Sequence, residues 1–126
     1  ICRDFSINCL CYDPLNKTII DPTGMGIMDC IEKKLRIPVT NRNDKWTTWT
    51  RGNPSKLIRY WKFIALGYQP ADNDTRNFII KKANEFRKSE MKCSDILNKG
   101  IADKYTFKQA VIKDMGKQFW DKNFSN

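Results

Sequence analysis

Hydrophobic and polar positions change rhythm along the 126 residues. In residues 4–12, Phe5, Ile7, Leu10 and Tyr12 fit neither a helical nor a strand period cleanly, so the stretch reads as a short helix or helix-to-strand passage. Asp13 and Pro14 supply turn chemistry, residues 18–20 read as a short strand, and residues 21–26 form a second tight connection. Together these predict a small hairpin. Residues 29–34 predict a turn or two of helix, followed by an extended exit, because Pro38 biases Ile37 away from helix. Residues 40–52 are polar with Trp46 and Trp49 embedded, and predict a surface loop.

From Asn53 onward the pattern is helical. Asn53 is an N-cap with Pro54 at the first helical position. Leu57, Ile58, Trp61, Ile64 and Ala65 then recur at helical spacing until Gly67 stops the helix. Residues 74–91 repeat the pattern with Phe78, Ile79, Ala83 and Phe86, and residues 94–100 read as a short capped helix. Thr106 is expected to cap a last helix with the stripe Phe107, Ala110, Val111, Met115, Gln118 and Phe119. The predicted class is α+β and mostly helical: a short helix and small hairpin within residues 1–40, then an all-α segment over 41–126.

Composition adds a partner class. With 40% hydrophobic residues the chain can build one modest core. A net charge of +9, from 23 basic against 14 acidic residues, favours polyanions, RNA above all, although a basic surface without a ligand has the same balance. No apolar run approaches the roughly 20 residues of a membrane span, so no membrane partner is expected.

The five cysteines, Cys2, Cys9, Cys11, Cys30 and Cys93, mostly have apolar neighbours. They read as reduced core thiols and point to a cytoplasmic location. The chain has no His, which removes Ser-His and Cys-His catalysis and, with a lone C-x-C, argues against zinc.

Two groups of residues carry a resemblance. The first runs Cys2-Arg3-Asp4-Phe5-Ser6-Ile7-Asn8, continues to Tyr12 and Asp13, and goes on through Ile20, Asp21, Pro22, Thr23, Gly24, Gly26, Asp29, Leu35 and Arg36. The second is Gly52, Asn53, Pro54, Lys56, Arg59, Lys62 and Phe63, followed by Ala65-Leu66-Gly67-Tyr68. Over residues 2–70 this succession resembles the class II template-independent nucleotidyltransferases, namely CCA-adding tRNA nucleotidyltransferases and bacterial-type poly(A) polymerases. In that family an Arg-Arg-Asp-Phe-Thr-Ile-Asn motif closes the catalytic head. A helix reading Glu-Asp-Pro-x-Arg-x-x-Arg-x-x-Arg-Phe opens the neck.

The resemblance implies that residues 1–40 end a nucleotidyltransferase head and its linker, and that 41–126 form a helical neck and body. The parent protein would transfer AMP, or CMP, from ATP or another nucleoside triphosphate to the 3′-end of tRNA or another RNA. Its Mg2+ would be held by an Asp-x-Asp pair in a missing N-terminal head segment, so this piece alone is expected to lack catalytic residues and activity. Asp72 and Asp74 have that spacing but stand in a polar loop before a helix.

The same resemblance gives Arg3 a nucleotide contact and Asp4 the task of orienting it or reaching the ribose. Both residues also read as a surface ion pair at a helix start. Positions 53, 56, 59 and 62 wind around one side of a helix, opposite its apolar stripe. Asn53 and Lys56 take the family's base-selecting places, and Arg59 and Lys62 plausible phosphate places. The same row also reads as an N-cap with a solvated cationic face.

Asn53 accepts or donates according to its amide orientation, Lys56 cannot reproduce a bidentate fork, and Gly52 replaces a supporting Glu. Base choice is therefore expected to be looser or shifted, which favours the poly(A) type over strict C, C, A addition. The rival expectations are a degenerate relative that binds nucleotide or RNA without catalysis, and a basic helical interaction module. Trp46, Trp49 and Trp61 are candidates for base stacking; Trp61 is expected in the core.

Overall fold

The computed structural model describes residues 4–38, 55–85 and 103–124. After a 3-10 turn at Ser6–Asn8, strands β1 (Cys11–Asp13) and β2 (Thr18–Ile20) pair antiparallel, with Tyr12 opposite Ile19. Asp13 sets the turn between them by accepting from the Leu15 N–H at 3.0 Å and from Asn16 Nδ2 at 2.8 Å. The bonds from Asn16, then that from Leu15, hold the Asp13 carboxyl below its ordinary pKa.

Helix α1 spans Gly26–Glu32, so it starts earlier than the expected residue 29. The cause is Asp21, whose carboxylate accepts from the Gly26 and Ile27 N–H groups at 3.0 and 3.1 Å and satisfies two donors of the first turn. Gly26 is required there, because a Cβ would lie 2.7 Å from the Ser6 carbonyl oxygen and 2.8 Å from Leu10 Cδ2. Lys33, left-handed at φ 55°, ends the helix and sends Lys34 into β3 (Lys34–Leu35) instead of a further helical turn.

Strand β3 pairs in parallel with β4 (Gln69–Pro70), which ties the N-terminal unit to the helices. Those helices are α2 (Ser55–Ala65), α3 (Asn73–Glu85), α4 (Lys104–Met115) and α5 (Lys117–Asn123). Gly67, at φ 100°, makes the turn after α2. The predicted loop over 40–52, the helix over 94–100, the Asn53 cap and the end of the 74–91 helix lie outside the described residues.

Two expectations about the last helix are corrected. The cap of α4 is Asp103, which accepts from the Tyr105 and Thr106 N–H groups at 3.0 and 3.1 Å and from Thr106 Oγ1 at 2.6 Å. Thr106 is a donor to the cap. The apolar stripe also does not run through one helix, because Gly116 at φ 87° separates α4 from α5. The Thr106 contacts, then that of Tyr105, hold the Asp103 carboxyl below its ordinary 3.8, so its contribution is full above that value. Asp103→Ala is therefore expected to lower the Tm at neutral pH, with the gap to wild type narrowing as pH falls through the depressed pKa; a gap that widens on acidification would refute this.

The core gathers Leu57, Ile58, Tyr60 and Trp61 of α2, Ile79 of α3, Phe107 and Val111 of α4, and Trp120 and Phe124 around them. Phe5, Leu35 and Ile37 join the same cluster from the N-terminal unit. Trp61 is 0% exposed and its Nε1 donates to Asp114 Oδ2 at 3.1 Å, the core placement expected of it.

The cysteine expectation holds for Cys9 alone among the described residues: Cys11 and Cys30 are exposed. They lie on β1 and α1, beside apolar neighbours that are themselves outward-facing, such as Tyr12 and Ile31. Among the described residues, no helix is long and apolar enough to cross a membrane.

Candidate nucleotide site where the N-terminal motif meets helix α2

Asp4 is the meeting point. Its side chain is 1% exposed, and Oδ2 lies 3.3 Å from Arg59 Nε and 3.9 Å from Lys56 Nζ. The other oxygen, Oδ1, accepts from Asn8 Nδ2 at 2.7 Å. Oδ2 has no partner with hydrogen-bond geometry among the described residues, so charge alone holds it to the two cations. Burial rules out a solvated surface pair for Asp4 and leaves it positioned to orient cations on α2.

Neighbouring residues explain why Asp4 sits there. Phe5 is fully buried, with its ring centroid 6.2 Å from that of Tyr60 and 6.0 Å from that of Phe63. The Ser6 N–H donates to the Arg36 carbonyl at 2.9 Å, and Ser6 Oγ donates to Asp29 Oδ2 at 2.6 Å. Asp29 also takes Arg36 Nε at 2.9 Å and Nη2 at 3.3 Å, while Arg36 Nη1 reaches Asp72 at 3.4 Å. This anchoring role of Ser6, Asn8, Asp29 and Arg36 was not assigned from the sequence.

Arg59 and Lys62 line a groove of about 390 Å3 with Ser55, Ile58, Phe63 and Leu66. Its floor is apolar and its rim cationic. Arg59 is held through Nε, and its terminal nitrogens have no partner among the described residues, which leaves a fork suited to a phosphate. An apolar floor of Ile58, Phe63 and Leu66 beside a cationic rim matches, in its chemistry, a ligand that joins an apolar ring to an anionic group. Ser55, Ile58 and Leu66 were missed by the sequence reading, which followed only the charged row.

Asp4, Lys56 and Arg59 are thus brought together, and Lys62 shares the groove with Arg59. Arg3 and Asn53 lie outside the described residues. Asp72 caps α3, accepting from the Thr75 N–H at 2.7 Å, and Asp74 lies in the first turn of that helix. Among the described residues no group of three His, Cys, Asp or Glu side chains is placed to hold a metal ion, and the buried carboxylates Asp4 and Asp29 already face cations. The described residues therefore do not fit a Mg2+ site.

No protein-family model, no curated protein and no solved structure matches the chain.

Proposed function

We propose that this chain supplies the nucleotide- and RNA-binding part of a template-independent RNA nucleotidyltransferase. The parent protein adds AMP, or CMP, to RNA 3′-ends. The observation that carries the reading is the burial of Asp4, from the N-terminal motif, against Lys56 and Arg59 of the α2 row. Two sequence features that resemble one family separately also share one location.

In this reading Arg59 and Lys62 hold the phosphates of a triphosphate along the groove. Asp4 is a positioning residue: its buried charge draws the Arg59 guanidinium to the rim of the groove. The resemblance assigns Asn53 and Lys56 to base selection and Arg3 to a nucleotide contact. Magnesium belongs to carboxylates outside these residues.

The chain is expected to bind ATP, and Lys62→Glu to weaken that binding about tenfold, the loss of a charge-assisted contact. Asn53→Asp combined with Lys56→Arg is expected to sharpen the ratio of affinities among the four triphosphates about tenfold, since one good base contact contributes roughly 1–3 kcal/mol. Isothermal titration reads both. A folded chain without affinity for any triphosphate would remove the proposal, and unchanged ratios would remove the base-facing roles. Primer extension by the parent protein checks the looser selector, which strict C, C, A incorporation contradicts.

A second reading, nucleotide or RNA binding without transfer, draws on Lys56, whose point charge lies 3.9 Å from Asp4 and lacks the planar fork of an arginine. Binding with no primer extension by the parent protein would favour it.

A further inference from the structure

We infer that a cavity on the far side of α2 is a second binding site, for a phosphorylated nucleoside: a free nucleotide or one unstacked unit of single-stranded RNA. The cavity, of about 460 Å3, lies between the C-terminal half of α2, the turn into β4 and the end of α4. It shares no lining residue with the groove of Arg59 and Lys62. Tyr60 and Ile64 line it from one face of α2, while Arg59 and Lys62 stand on another, as the 100° step per residue requires. The inference uses different residues from those of the proposed function and stands or falls separately.

Three features specify the ligand. The first is cationic. Arg76 Nε is paired with Asp114 Oδ1 at 3.1 Å, and Asp114 is fully engaged because Oδ2 accepts from Trp61 Nε1 at 3.1 Å. The terminal nitrogens of Arg76 have no partner among the described residues, and Lys113 on the same wall is likewise unpaired there. Two cations against one carboxylate leave a net positive wall, and a guanidinium held by Nε presents the fork that matches a phosphate.

The second feature is flat and apolar. Tyr68, Pro70 and Ile64 provide a surface for an aromatic ring, and Tyr68 is held edge-on against Phe63 with centroids 5.1 Å apart. The third is an unused donor. Tyr60 lines the cavity, and its hydroxyl, which has no hydrogen-bond partner among the described residues, is open to a ligand there. Burial, and then the nearby Asp114 charge, raise the pKa of that phenol, so it remains a donor. A simple anion would use the cations and leave the aromatic wall bare. A ring carrying a phosphate uses all three.

The test is titration of the whole chain with AMP, with inorganic phosphate and with a fluorescein-labelled hexa-adenylate, followed by the indole Nε1–H resonance of Trp61. That proton is bonded to Asp114 at the cavity wall. AMP is expected to shift the Trp61 resonance in wild type and in Lys62→Glu alike. Lys113→Glu, a surface change, is expected to weaken the AMP-induced shift about tenfold, and Tyr60→Phe to weaken it several-fold while keeping the fold. Tighter binding of hexa-adenylate than of AMP identifies RNA as the source of the ligand; the reverse identifies the free nucleotide.

The proposal is overturned if AMP leaves the Trp61 resonance unmoved, if Lys113→Glu and Tyr60→Phe bind as wild type does, or if inorganic phosphate competes as well as AMP. Triphosphate binding that Lys62→Glu leaves unchanged, with the Trp61 shift retained, would sink the proposed function and leave this site standing.

Discussion

Arg59→Met is expected to lower stability by about 2–4 kcal/mol, a large part of the roughly 5–15 kcal/mol of an ordinary domain. The reason lies in what the substitution leaves behind. Asp4 is 1% exposed, and without Arg59 its Oδ2 retains only Lys56, whose Nζ is 3.9 Å away. A half-exposed arginine elsewhere on a helix would contribute less than about 1 kcal/mol. Here the cost is that of an under-compensated buried charge, and not the worth of the pair.

Asp4→Asn removes the charge and keeps an oxygen for Asn8. The double variant Asp4→Asn/Arg59→Met is therefore expected to recover much of the loss, with a coupling of more than about 1 kcal/mol. Urea denaturation of the four proteins measures it. Additive effects would mean that the two side chains do not act as a pair.

The second large effect is expected at Asp29. Asp29→Ala should cost about 3 kcal/mol, because it leaves the buried Ser6 hydroxyl without its acceptor and frees the Arg36 guanidinium from two of its bonds. Arg36 retains Asp72 at 3.4 Å, which limits the loss. The amides that tie the N-terminal unit to β4 and the residue after it, Gln69 N–H to the Lys33 carbonyl and Ala71 N–H to the Leu35 carbonyl, should exchange faster in this variant. Unchanged exchange at Gln69 and Ala71, with an unmoved urea midpoint, would show that the network carries no such load.

Helix α2 was readable because Leu57, Trp61 and Ile64 recur every three or four positions and Gly67 closes the pattern. The start of α1 was not, because its cap Asp21 lies outside the helix and acts across a turn. Asp103 and Thr106 are both competent caps three residues apart, so local chemistry could not choose between them. Apolar spacing continues through Gly116 although the backbone does not. Cys11 and Cys30 were misjudged because apolar neighbours in sequence predict burial only when those neighbours are buried too.

In the candidate site, the row on α2 is a matter of spacing and was visible. The apposition of Asp4 with Arg59 is a contact between distant parts of the chain, which no periodicity encodes. Asn8, Ser6 and Asp29 stood in the quoted motif without a role until their partners were placed.

The parallel bridge between β3 and β4 also orders events in time. Residues 34–35 can settle beside 69–70 only after the intervening chain has been gathered in, a closure that pays its entropy before any reward. The packing of α2 on its chain neighbour α3 needs no such closure and forms earlier, whereas α4, whose Asp114 lies 53 residues from Trp61, and the segment bearing Asp4 both dock late. Changes at Asp4 or Asp29 should then act mainly by speeding unfolding, with little slowing of refolding.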